Sequence, residues 1–170
     1  MDISIFRPQR MYLGVATALI AHDQPLLKLF ASITPEAYSN RHPPEFDLYH
    51  DCVGVLLKYA EGKKKQALLK SQESIARWSG AGAKLSKPMR ETLLPLLEGG
   101  IAVFESKPDE LTSALNCILV AHEKNAKRGE SSEEMWTLLS LDALVLAAIA
   151  QREGMQLNIT DRYMPVELIG

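Results

Sequence analysis

Apolar residues return every three or four positions along most of this chain, the spacing that gives an α-helix one buried face. Phe46, Tyr49, Val53, Leu56, Leu57 and Ala60 form one such stripe. Met89, Leu93, Leu96, Leu97, Ile101 and Phe104 form a second, and Leu111, Ala114, Leu115, Ile118 and His122 a third. Tyr12 to Phe30 reads as helical with a bend at Pro25, and Lys63 to Trp78 as a helix with a weaker stripe. Met135 to Ala150 is different, because only Thr137, Ser140 and Asp142 interrupt its apolar run. That run falls short of the ~20 residues needed to span a bilayer, and a carboxylate near its middle is costly in lipid. It predicts a central helix buried by its neighbours. Gln151 to Gly154 then reads as a glycine stop, and Met155-Gln156-Leu157-Asn158-Ile159 alternates as an extended strap does.

The punctuation between stripes agrees. Thr34-Pro35-Glu36 reads as an N-cap with proline in the first helical turn. Ser131-Ser132-Glu133-Glu134 fits a capping box. Breaks fall at Asn40–Pro44, Glu61-Gly62, Gly80–Gly82, Ser106–Pro108 and Lys127–Glu130. Connections this short favour antiparallel neighbours. Gly99-Gly100 interrupt a helical stripe, which implies either a kink or the close approach of another backbone. No strand hairpin is legible. The expected fold is all-α, a single domain over residues 1–170 with about six or seven antiparallel helices and a short extended C-terminal tail.

Bulk properties narrow the function classes. A net charge of -2 and a pI of 6.1 lack the basic excess of nucleic-acid binders, so no nucleic-acid partner is expected. The N-terminus lacks a basic start followed by an apolar core, so no secretory signal is legible and the expected compartment is the cytoplasm, with no membrane partner. Cys52 and Cys117 lie too far apart for a zinc knuckle and are read as free buried thiols.

Candidate chemistry is sparse. His50-Asp51-Cys52 places three ligand types side by side, but adjacent helical residues point about 100° apart and do not converge on a metal. His22-Asp23 is a helix end before a proline. His122 and Asp142 both fall on apolar faces, yet a helical hairpin turning near residue 128 separates them by about 10 Å. Each therefore needs its own partner: Glu134 or Tyr163 for His122, and a cation or hydroxyl from the N-terminal helices for Asp142. The cluster Lys58, Lys63, Lys64, Lys65 and Lys70 reads as a solvated helix end, with phosphate binding as the lesser alternative. No G-x-S-x-G, H-E-x-x-H or phosphate loop is present. The residues call for no catalytic group, metal or cofactor.

Leu119-Val120-Ala121-His122, the Leu141–Ala147 helix with Asp142, Arg152-Glu153-Gly154, and Tyr163-Met164-Pro165 followed by Leu168-Ile169 resemble the immunity protein 49 family of bacterial polymorphic-toxin systems. The resemblance covers about residues 110–170. It implies an all-α cytoplasmic protein that neutralises a cognate toxin by binding it, with His122, Asp142, Gly154, Tyr163 and Pro165 as shared scaffold. A toxin-facing surface then lies elsewhere. Glu45, Asp47 and Asp51, at the start of their helix, are the acidic face expected to meet a basic toxin such as a nuclease. Competing readings are a helical protein-protein adaptor and a small helical ligand-binding protein or enzyme built on His122 and Asp142.

Overall fold

A computed structural model describes residues 8–33, 47–80, 85–128 and 138–169. Seven α-helices occupy them: α1 Pro8–Ile20, α2 Gln24–Ala31, α3 Asp47–Ala60, α4 Lys64–Trp78, α5 Lys87–Phe104, α6 Pro108–Arg128 and α7 Leu141–Arg152. A single 3-10 turn, Val166–Leu168, closes the tail. The caps expected at Thr34–Glu36 and Ser131–Glu134, the break at Asn40–Pro44, and Glu45 and Phe46 lie outside the described residues.

α3, α4, α5 and α6 pack in sequence as antiparallel neighbours, while α1 packs on α3. α7 touches α1, α5 and α6. It starts beside the start of α1, where Tyr12 bonds Asp142, and ends beside the end of α1, where Arg152 bonds the Leu19 carbonyl. The bundle therefore closes through a parallel pair, α1 and α7.

Ala143 to Ile149 and Ala150 are all under 5% exposed, so α7 has no solvent face over its central turns. A helix apolar all round must be enclosed, and the other helices do this with stripes close to those expected. Met89, Leu93, Leu96, Leu97 and Phe104 of α5 and Leu111, Ala114, Leu115 and Ile118 of α6 are buried in one continuous core. Cys52 is buried in that core, but Cys117 is exposed, because it falls one position off the α6 stripe. The expectation of two buried thiols holds for Cys52 only.

Two helix boundaries differ from the sequence reading. The Tyr12–Phe30 segment is broken rather than bent, at Ala21 to Asp23. His22 takes a left-handed φ of 56°, and the Asp23 carboxylate caps α2 by accepting from the Leu26 amide at 3.0 Å. The apolar run from Met135 is likewise not one helix. Leu138 is helical, Leu139 and Ser140 are not, and Ser140 caps α7 by accepting from the Ala143 amide. Apolar content is the same on both sides of that break, so periodicity alone does not reveal it.

Four connections end their helices by one device. His22, Gly62, Ser106 and Gly154 have φ values of 56°, 74°, 59° and 76°. In each case the two amides from that residue onward bond back to carbonyls of the last turn, as at Gly154 to Gln151 and Met155 to Ala150. This is the Schellman arrangement. Glycine adopts it without steric cost at Gly62 and Gly154; His22 and Ser106 adopt it against their own preference.

The Gly99-Gly100 interruption resolves into close approach. α5 runs unbroken through it, and through Pro95 as well. A Cβ on Gly99 would overlap the Leu146 side chain and lie 3.1 Å from the Ala114 Cβ, so Gly99 is where α6 and α7 close on α5. A Cβ on Gly100 meets nothing nearer than 3.9 Å. Gly100→Ala is expected to raise stability by up to about 1 kcal/mol through helix propensity. Gly99→Ala loses that gain to overpacking, which costs roughly 1–3 kcal/mol. Denaturant unfolding of the two variants checks the ordering.

Candidate functional site

The polar residues singled out near the end of the chain converge at the base of the bundle. α1 brings Tyr12 there, α3 brings Tyr49 and Cys52, α6 brings His122 and α7 brings Asp142. The tail returns to the same place. Asp161 accepts from the Tyr163 amide at 2.8 Å, turning the chain so that the Tyr163 carbonyl accepts from the Ser140 amide at 2.7 Å. Met164 is buried behind it at 1% exposure.

Tyr12 is the residue that sequence reasoning left unnamed. Its ring sits on the buried stripe of α1 and its hydroxyl donates to Asp142 Oδ1 at 2.5 Å. A buried phenol needs an acceptor, which is the signal that identifies it. Asp142 thus finds the hydroxyl from the N-terminal helices that its position called for. His122 finds Tyr163, ring edge to face at 4.9 Å and 64°. Arg162 lies over the outer face of Tyr163, 4.6 Å from its centroid, and bonds Glu123 at 3.4 Å.

Burial governs the protonation states in this cluster. Desolvation pushes the Asp142 carboxyl above the ordinary aspartate range, and the Tyr12 bond and the His122 charge offset this only in part. Burial, then the nearby Asp142 charge, raises the Tyr12 phenol far above its usual value, so Tyr12 is the donor. Tyr49 moves the same way for the same causes. Cys52 is raised by burial and by the Asp142 and Asp51 charges, which keeps it a thiol rather than a nucleophilic thiolate. The His122 charge favours the Asp142 carboxylate, which also accepts from the Tyr12 hydroxyl. The arrangement ties α1, α6, α7 and the tail together.

The acidic face is corrected by the structure. Asp51 is only 4% exposed and points inward, accepting from Trp78 Nε1 at 2.9 Å and from Arg77 at 3.3 Å, with Lys70 at 3.5 Å. It fastens α3 to the end of α4 and offers nothing to an external partner. The reason is geometric: Trp78 is buried, and its indole N–H requires an acceptor there. Asp47 is partly buried in the first turn of α3, where a carboxylate favours the helix dipole, and Glu45 lies outside the described residues.

Four of the five clustered lysines pair with carboxylates. Lys58 and Lys63 both pair with Glu61, Lys64 with Glu153 at 2.6 Å, and Lys70 with Asp51. Glu153 also accepts from Tyr59, whose phenol is pushed up to about 12 by burial and by that carboxylate. Beside it, burial lowers the Arg152 guanidinium from its usual value, and Arg152 still donates to the Leu19 carbonyl at the end of α1. Among the described residues no three His, Cys, Asp or Glu side chains group as metal ligands, and no helix is long and apolar enough to cross a membrane.

Because the folded protein holds the Asp142 proton more tightly than the unfolded chain, stability from this group is full in acid. It is lost as pH rises from the ordinary aspartate range through the raised folded value. Asp142→Asn keeps an acceptor for Tyr12 without the charge, so the stability of the variant relative to wild type should rise over that window. Asp142→Ala leaves the Tyr12 hydroxyl without its acceptor and should cost about 1–3 kcal/mol. Asp51→Ala should cost a similar amount by orphaning the Trp78 N–H. Thermal melts across pH check all three. No family model, curated protein or solved structure matches this chain.

Proposed function

We propose that this protein is an immunity protein that binds a cognate bacterial toxin stoichiometrically and neutralises it in the producing cell. The observation that carries the reading is how the buried polar groups are used. Asp142 on Tyr12, Asp51 on Trp78 and Arg152 on the Leu19 carbonyl each join one helix to another. A stoichiometric inhibitor needs a rigid frame with recognition on its outside, and polar groups committed to the frame suit that task. The resemblance of residues 110–170 to the immunity protein 49 family supports the same reading. His122, Asp142 and Tyr163, named for that resemblance, stand together in the basal cluster.

The toxin-facing surface in this reading includes the start of α3, with Glu45 and Asp47 as its acidic groups and Asp51 removed from it. Charges at such a rim act mainly on association rate and partner choice. Co-expression with the product of the neighbouring gene tests the function. That product should be toxic alone and harmless beside this protein, whereas a non-toxic neighbour would leave the adaptor reading in its place. Glu45→Lys with Asp47→Lys should weaken neutralisation while the protein stays folded, at a modest cost in melting temperature from the lost carboxylate at the start of α3. Asp51→Lys should instead unfold the protein, since a reversed buried charge loses every partner it had.

A further inference from the structure

We draw no further inference here: the strongest candidate, the basal side-chain cluster where Asp142 and His122 meet Tyr163 of the tail, belongs to the site already described, and a pH-sensitive latch built on it would rest on the raised Asp142 carboxyl alone.

Discussion

A helix with no polar face cannot sit at a surface, and the rest of this fold follows from the need to enclose α7. Its central turns are buried on every side, with Val145, Leu146, Ala147 and Ala148 at 0% exposure. Each apolar side chain it buries contributes at about 25 cal/mol per Å² of surface removed from water. α1, α5 and α6 supply the direct contacts, and Gly99 lets α5 come close enough to fill the interface. α3 and α4 complete the ring on the far side. The small residues of α7, mostly alanine beside branched aliphatics, permit contact in several directions at once.

Enclosure leaves the ends of α7 to be settled by polar groups. At the start, Asp142 faces Tyr12 of α1 and lies within electrostatic reach of His122 of α6, while the tail's Tyr163 carbonyl accepts from the Ser140 amide. At the finish, Arg152 caps α1, and Glu153 receives Tyr59 of α3 and Lys64 of α4. Nonpolar packing does not fix the sliding of one helix along another, whereas these directional bonds do. The two ends together set the register of α1, α3, α4 and α7. Asp142 fills that role at a desolvation cost that raises its pKa.

Much of this was legible before any coordinates. The stripes of α3, α5 and α6, the all-round burial of the final helix, the Gly154 stop and the alternating strap all follow from spacing, because spacing reports which faces are apolar. The need of Asp142 for a cation or hydroxyl from the N-terminal helices, and of His122 for Glu134 or Tyr163, followed from the rule that buried polar groups find partners; the structure shows Tyr12 and Tyr163 in those places. What spacing does not report is which distant residue demands a partner. Asp51 looked like a surface acid on a helix flank, and only the buried N–H of Trp78 turns it inward. The breaks at His22 and Leu139 were hidden because neither carries a glycine. The parallel closure of α1 on α7 depends on contacts between the two ends of the chain, which no local pattern encodes.

Native-state hydrogen exchange residue by residue is the most direct test of α7 as the element the fold is built around. The amides of Leu146 to Ala150 should be the slowest in the protein and exchange only by global unfolding, while those of α2, which buries only Leu27, should open locally at much lower free energy. If the α7 amides exchange before those of α3 to α6, the bundle is held by its outer helices and the enclosure of α7 is a consequence rather than the cause.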